Sequence, residues 1–219
     1  MSVRMNHPNP PRPEPLLLIA THNPGKRREL RALLSDLPVR LVDLLDVGIA
    51  EAAVEPYERL EDNARWKAMF YAERSGLWTL ADDSGLEIDA LRGAPGVHSA
   101  RFAGPDADDP ARIRKVLELM AGVPWPQRTA RFRCVIALAR PGEPPVLVEG
   151  RLEGYIAWEP RGTYGFGYDP IFYIPELGKT MAELPPEMKN QISHRARAAW
   201  KAREILRRWL AGEAHREDP

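Results

Sequence analysis

A polar turn between a short apolar strand and a helix constrains the fold of this chain more than any other feature. Residues 16–20, LLLIA, are fully apolar and predict a buried strand. The turn THNPGK follows at 21–26, where Asn23 is a typical helix cap and Pro24 takes the favoured first helical position. Leucines then recur at helical spacing, at Leu30, Leu33, Leu34 and Leu37. Because α/β proteins bind ligands where strands end and helices begin, the pattern predicts an α/β fold with an anion site in this turn.

The following segments alternate between helical and strand patterns, which predicts a mixed sheet flanked by helices. Helices are expected at 58–74, from Asp109 to Met120 and at 193–210, and strands at 77–81, 129–139 and 145–158. No internal repeat is visible, and no linker follows residue 15. The predicted organisation is a disordered proline-rich lead at 1–15, a single domain at 16–212 and a polar tail at 213–219.

Composition excludes several classes of protein. No apolar run approaches the ~20 residues of a membrane-spanning helix, and the amino terminus lacks a signal pattern. A single cysteine, Cys134, cannot form an internal disulfide, and the five histidines lack zinc-site spacing. The 31 basic residues equal the 31 acidic ones, which argues against a protein that coats nucleic acid. We therefore expect a soluble, cytoplasmic protein with neither a membrane nor a nucleic-acid polymer as its partner.

Two adjacent carboxylates, Asp82 and Asp83, follow the predicted strand at 77–81. Adjacent anions repel unless they are protonated or neutralised by a cation. With no nitrogen or sulfur ligands nearby, an all-oxygen magnesium site is the natural solution, and Glu51 or Glu55 is a candidate further ligand. Two other interpretations compete. Asp, Ser and Gly also favour ordinary turns, and the Asp-Ser-Gly triplet imitates an aspartic protease, although that enzyme needs two such loops.

Lys67 lies in the predicted second helix, four residues after Asn63 and next to its apolar stripe. Polar residues that lean towards a core are costly unless they face a cleft. The alternative is that the lysine stem covers apolar surface while its ammonium stays in water.

Three further segments of the chain carry groups that suit an anion and a flat ring. Arg101 lies in a glycine–proline loop, which either approaches an anion or is an ordinary surface loop. The segment at 162–172 interleaves glycines with aromatic residues, which suits base stacking or a glycine-rich hairpin. Lys189, His194 and Arg195 offer hydrogen-bond donors for carbonyl oxygens on a base edge. Together with the turn and the acidic pair, these features describe a site for a nucleoside triphosphate and magnesium.

Six sequence motifs follow one another between Leu16 and Leu210. They are T-x-N-x-x-K at 21–26, EDNARWKA at 61–68, ADDSGLEIDAL at 81–91, GAPGVHSAR at 93–101, GFGYDPIF at 165–172 and ISHR at 192–195. In this order they resemble the Ham1/RdgB family of noncanonical purine nucleoside triphosphate pyrophosphatases, which act on ITP, dITP and XTP. The departures are mild: His22 stands where the family often has glycine, Pro24 follows Asn23, and the acidic segment lacks the usual E-T-G.

The resemblance implies a fold, a cofactor and a set of site residues. The fold is an elongated mixed β-sheet flanked by helices, with two lobes around a central cleft, usually in a homodimer. Asp83 would be the general base and a Mg²⁺ ligand together with Glu55, and Asp82 and Glu51 are alternative ligands. The residues that would bind the substrate are Thr21, His22, Asn23, Pro24, Gly25, Lys26, Lys67, Ser84, Arg101, Phe166, Gly167, Tyr168, Asp169, Lys189, His194 and Arg195.

The implied reaction is hydrolysis of the triphosphate to the monophosphate and pyrophosphate, by attack of water on the α-phosphorus. Donors such as Arg195 or His194 would pair with the 6-keto oxygen of hypoxanthine or xanthine, and the amino group of adenine would leave them unpaired. Guanine shares that oxygen, and no residue hostile to its 2-amino group is evident from the sequence. The alternatives are a Maf-like pyrophosphatase of other specificity and a nucleotide-binding regulator, although the retained carboxylates count against a regulator.

Overall fold

Apolar strands and capped helices fold residues 14–212, the part of the chain that the computed structural model describes, into one seven-stranded mixed sheet flanked by helices. The predicted tail at 213–219 lies outside the described residues, as does all of the predicted lead except Glu14 and Pro15. The elements in chain order are β1 (Leu16–Ile19), α1 (Pro24–Leu33), β2 (Arg40–Asp43), α2 (Leu60–Ser75), β3 (Trp78–Ile88), α3 (Asp109–Leu119), β4 (Thr129–Ala139), β5 (Val146–Ile156), β6 (Phe172–Ile174), β7 (Lys179–Thr180), α4 (Pro186–Ile192) and α5 (His194–Leu210).

The strand order is β2-β1-β3-β4-β5-β6-β7. The first three strands in this order are parallel, and every pair from β3 to β7 is antiparallel. This arrangement confirms the mixed sheet and the α/β class. No helix among residues 14–212 is long and apolar enough to cross a membrane.

The side chains of β1 show how the sheet divides its core between two faces. Leu17 and Ile19 pack with apolar residues of α1 and α5, whereas Leu18 packs with α2 on the opposite face. This is the alternation expected of a strand covered on both sides. A further apolar cluster includes Leu86 of β3 and Phe172 of β6.

Strand β3 is longer than the sequence pattern predicts. We expected a strand at 77–81 that ends at the acidic pair, but β3 continues through the pair to Ile88. Its partner β4 is also eleven residues long, and the two pair from Thr79 opposite Ala139 to Ile88 opposite Ala130. The long partner provides a ladder that outweighs the turn preference of the Asp-Ser-Gly triplet. The predictions of a strand end and of a turn at the acidic pair are therefore wrong.

The side of β3 that faces β1 has no strand partner over the middle of β3. Only Trp78, Thr79 and Leu80 pair with β1, because β1 ends at Ile19. From Leu86 onwards, a 3₁₀ turn at Gly96–Arg101 covers the edge, and Ser99 Oγ accepts a hydrogen bond from the Leu86 N–H at 2.9 Å. The acidic pair lies in the interval between these two covered parts.

The sequence patterns predict no element where β2, β6, β7 and α4 lie. These elements contain between two and seven residues. A segment of that length is too short to show a hydrophobic period, and tertiary pairing decides its conformation.

Candidate active site

The turn between β1 and α1 is arranged as the sequence predicts. Asn23 Oδ1 accepts a hydrogen bond from the Lys26 N–H at 3.0 Å and caps α1, and Pro24 is the first residue of that helix. The Asn23 N–H donates to Thr21 Oγ at 3.2 Å. The amino end of α1, with its partial positive charge, therefore lies beside the open edge of β3.

Gly25 permits a close approach between this turn and the aromatic loop at 162–172. A Cβ atom at this position would lie 2.5 Å from the Phe166 ring, closer than any side chain tolerates. The structure thus brings the predicted phosphate turn into contact with the predicted base platform, which lies far along the chain.

Asp82 points to the α1 and α5 face of the sheet, where cations neutralise it. Lys26 Nζ lies 3.0 Å and Arg195 Nε 3.5 Å from Asp82 Oδ2. Burial acts to raise the pKa of Asp82, but the charges of Lys26 and Arg195 outweigh burial and hold it below its usual value. Ser84 shares this face, accepting a hydrogen bond from Arg195 Nη2 at 3.0 Å.

Asp83 points to the opposite face, towards α2, because successive residues of a strand alternate. Lys67 Nζ lies 2.6 Å from Glu55 Oε1 and 3.4 Å from Asp83 Oδ1. Burial raises the pKa of Asp83, and the charge of Lys67 offsets only part of this effect. Among residues 14–212, Asp83 Oδ2 has no hydrogen-bond partner. The Lys67 ammonium faces these carboxylates, so the alternative that it extends into water is wrong.

Asn63 explains how Glu55 reaches this face. Its side-chain amide pairs with both backbone groups of Tyr57, donating to the carbonyl and accepting from the N–H at 3.0 Å each. These bonds tie the segment before α2 to the helix, and so place Glu55 beside Lys67.

The structure separates the four acidic residues that the sequence offers as metal ligands. Glu55 and Asp83 share the Lys67 ammonium, whereas Glu51 is exposed and pairs with Arg74 at 3.2 Å. Asp82 lies on the other face of the sheet. In the range 14–212, no three His, Cys, Asp or Glu side chains gather into a metal cluster.

The donor set of Asp83 and Glu55 nevertheless fits magnesium. One oxygen of Asp83 is buried without a partner, and both groups are carboxylates. Magnesium in nucleotide sites is held by one or two carboxylates, with substrate phosphates and water completing the shell.

A cavity of about 110 Å³ opens on the α1 and α5 face. The predicted base-binding residues that line it are Phe166, Gly167, Tyr168, Asp169, Lys189, His194 and Arg195, together with Asn23, Lys26 and Ser84. The His194 ring stacks on Phe132, with 4.6 Å between centroids. Burial and the neighbouring charges of Arg195 and Lys189 lower the pKa of His194 well below its usual value, so the imidazole is neutral.

Glu29 is a site residue that sequence reasoning missed. Its carboxylate lies 2.7 Å from Lys189 Nζ and 2.5 Å from Arg195 Nη1, and so holds both cavity cations in place. The sequence pattern assigns the start of α1 to phosphate binding alone. The spacing could have indicated Glu29, because it follows Lys26 by three residues and such residues lie on the same side of a helix.

Asp109 and Arg112 of α3 also line the cavity and were not predicted. The Gly167 N–H donates to Asp109 Oδ2 at 2.6 Å. The contact joins α3 to the aromatic loop, and the sequence pattern of either segment alone carries no sign of it.

Six predicted substrate residues are not part of the cavity lining: Thr21, His22, Pro24, Gly25, Lys67 and Arg101. Three of them, Arg101, His22 and Pro24, are exposed. Arg101 lies at the end of its 3₁₀ turn, and Ser99 and Ala100 of the same motif line the cavity instead. His22 contacts the Glu51 carbonyl oxygen at 3.3 Å. The prediction that these six residues bind substrate stays untested.

The chain has relatives of known family over most of its length. The Ham1 family profile matches residues 17–205. The dITP/XTP pyrophosphatase of Geobacillus kaustophilus is 50% identical over 201 residues, which cover 92% of this chain and 98% of the relative. The dITP/XTP pyrophosphatase of Bacillus subtilis is 50% identical over 189 residues, which cover 86% of this chain and 96% of the relative.

Solved structures show the same fold. The HAM1 protein from Coxiella burnetii superposes with a TM-score of 0.81 at 42% identity, over 88% of this chain and 98% of that one. The nucleoside-triphosphatase, or dITP/XTP pyrophosphatase, of Mycobacterium abscessus gives 0.70 at 43% identity, over 85% and 98%. The resemblance inferred from six motifs is confirmed by these matches, and the chain belongs to the Ham1 family.

Proposed function

We propose that this protein hydrolyses noncanonical purine nucleoside triphosphates, namely ITP, dITP and XTP, to the monophosphate and pyrophosphate. One observation carries the proposal: the buried carboxylate of Asp83, which has an oxygen without a partner among residues 14–212, lies at the open edge of β3, and a donor-rich cavity opens on the other face of the same edge. The names of the relatives, which are half identical over most of their length, support the same activity.

The protein's own groups are suited to hold a triphosphate at this edge. The N–H groups at the start of α1 and the ammonium groups of Lys26 and Lys67 lie on the two sides of the acidic pair. Anions bind well where helix dipoles and lysines converge. The substrate phosphates would therefore lie across the edge of β3.

Asp83 is the residue we assign to deprotonate the attacking water. A carboxylate whose pKa is raised by burial is a stronger base than one in water, and Oδ2 is free to accept a proton. The water would attack the α-phosphorus, and the bond to the leaving pyrophosphate would break in line with it.

We assign Mg²⁺ to Asp83 and Glu55, which share the Lys67 ammonium, and the separation described above favours them over the alternatives Asp82 and Glu51. When bound, magnesium neutralises phosphate charge and so favours departure of pyrophosphate.

Base selection is assigned to the cavity. Arg195, Lys189 and neutral His194 have N–H groups that can donate to the 6-keto oxygen of hypoxanthine or xanthine. Adenine places an amino group there, and leaving buried donors unpaired costs roughly 1–3 kcal/mol for each donor.

One assay tests the proposal. The protein is incubated with magnesium and with ITP, XTP, dUTP, GTP or ATP, and products are separated by ion-exchange chromatography. We expect monophosphate and pyrophosphate from ITP and XTP. A preference for dUTP would favour the Maf-like alternative, and binding without turnover would favour a regulator. Release of orthophosphate would contradict the proposed bond cleavage.

Three further sequence predictions are kept as part of this proposal: a homodimer, a single two-lobed domain at 16–212 and a cytoplasmic location. Light scattering coupled to gel filtration tests the first, since a dimer would have twice the 24.7 kDa mass of the chain.

A further inference from the structure

The walls of the cavity contain carboxylates that already hold cations. Asp169 Oδ2 lies 2.5 Å from Lys189 Nζ. On α3, one oxygen of Asp109 accepts a hydrogen bond from Arg112, and the other accepts from the Gly167 N–H at 2.6 Å. Among the lining residues that the structure describes, no carboxylate lacks a cationic partner.

The two serine hydroxyls of the cavity already accept hydrogen bonds within the protein. Ser99 Oγ accepts from the Leu86 N–H at 2.9 Å and donates to the Gly96 carbonyl at 2.6 Å. Ser84 Oγ accepts from the Arg195 side chain at 3.0 Å. With Arg112, Lys189 and Arg195 in its walls, the cavity is rich in donors.

Purine nucleotides that share the 6-keto oxygen differ at position 2. Hypoxanthine has a hydrogen there, xanthine a carbonyl oxygen and guanine an amino group that acts as a donor. A wall of donors pairs with the oxygen and tolerates the hydrogen, but it leaves the amino group without a partner. His194 can offer either a donor or an acceptor, and the charged groups near it are Arg195, Lys189, Asp82 and Lys26. We place it with Arg195 and Lys189 at the proposed 6-keto end.

We propose that Arg112 is a specificity-determining residue that excludes guanine, because it occupies the carboxylate that would otherwise accept the 2-amino group. Arg112 donates to Asp109 and to the Ala100 carbonyl, and these two bonds hold its guanidinium in the wall. This inference rests on the proposed function and deepens it, since it assigns the discrimination between ITP and GTP to one ion pair.

The Arg112→Met variant tests the inference by freeing Asp109. We expect the ratio of kcat/KM for GTP to kcat/KM for ITP to rise at least about tenfold, since the freed carboxylate gains a hydrogen bond to guanine alone. The Arg112→Lys variant keeps a cation beside Asp109, and we expect its ratio to stay near that of the parent.

Arg114→Met is the matched control, because Arg114 is an exposed arginine on the same helix. We expect no change of ratio in this variant. An unchanged ratio in Arg112→Met, with ITP turnover retained, would overturn the inference and leave the proposed function intact.

The unaltered protein provides a second test that does not depend on how the variants fold. Its KM for GTP is expected to exceed those for ITP and XTP by about tenfold or more. Equal KM values would contradict the inference, whereas absence of ITP turnover would contradict the proposed function itself.

Discussion

The two faces of β3 treat neighbouring carboxylates in opposite ways. Asp82 is paired with Lys26 and Arg195, and its pKa is lowered because these cations outweigh burial. Asp83 is the next residue, yet burial raises its pKa, and the charge of Lys67 offsets only part of this effect. Among residues 14–212, each of the two carboxylates has one buried oxygen without a hydrogen-bond partner, so the contrast between them lies in the neighbouring charges. Alternation along a strand thus separates a carboxylate that stabilises the site from one that is suited to accept a proton.

The largest expected effect comes from removing the proton acceptor. We expect Asp83→Asn to lower kcat for ITP by a factor of roughly 10²–10⁴, the range for loss of a general base. The midpoint temperature of thermal unfolding should stay the same or rise, because a neutral amide replaces a carboxylate whose ionised form is disfavoured by burial. Calorimetry and initial rates on the same sample measure both quantities. Parent-like turnover in this variant would remove Asp83 from its role.

The next effect concerns stability and not catalysis. Asp82→Asn leaves buried Arg195 and half-buried Lys26 without their shared anion, and we expect a loss of about 3 kcal/mol in the free energy of unfolding. Urea denaturation provides the measurement. The matched control is Asp36→Asn, since Asp36 pairs with exposed Arg207 at 3.0 Å and should contribute at most about 1 kcal/mol. Equal losses in the two variants would contradict the contrast between the faces.

A smaller effect should distinguish the two candidate magnesium ligands. We expect Glu55→Gln to raise the magnesium concentration for half-maximal turnover at least about tenfold, because it removes one of two carboxylates. Glu51→Gln is the control, and it should leave this concentration within about twofold since Glu51 faces Arg74. A reversal of this order would assign the ligand to Glu51.

The smallest effect is a difference in the sign of pH dependence. Because its pKa is lowered in the folded protein, ionised Asp82 adds to the free energy of unfolding. This contribution is fully present above the unfolded-state pKa of about 3.9 and is lost as the pH falls through the folded-state pKa. For Asp83 the sign is reversed, because its folded pKa is raised, so the parent loses stability as pH rises from about 3.9 through the folded value.

Urea titrations in EDTA between pH 3 and 7 would show both trends as differences from the two asparagine variants. Each slope is at most about 1.4 kcal/mol for each pH unit. Slopes of the same sign for Asp82 and Asp83 would contradict the assignment of opposite environments.

Much of the site follows from local sequence. The cap at Asn23 and Pro24 at the first helical position are local features, and the structure shows them as predicted. The predicted helical stripe of leucines is confirmed only in part, because α1 ends at Leu33, although Leu34 and Leu37 are also buried. Lys67 was singled out by its place beside an apolar stripe. Such features are readable because a cap or a helical face depends on residues only a few positions apart.

Other parts of the site depend on contacts between distant segments. Glu29 became a partner of Lys189 and Arg195 only because α1 packs beside α5. The separation of Asp82 from Asp83 required β4 to extend β3 past its apolar part.

The sequence by itself therefore determined the α/β class, the family and the residue types at the site. Only the tertiary structure decided which carboxylate is neutralised by two cations and which one keeps a raised pKa, and that Glu55 rather than Glu51 lies beside Asp83. The physical reason is that charge and burial act through space, over a few ångströms between segments that are tens of residues apart in the chain.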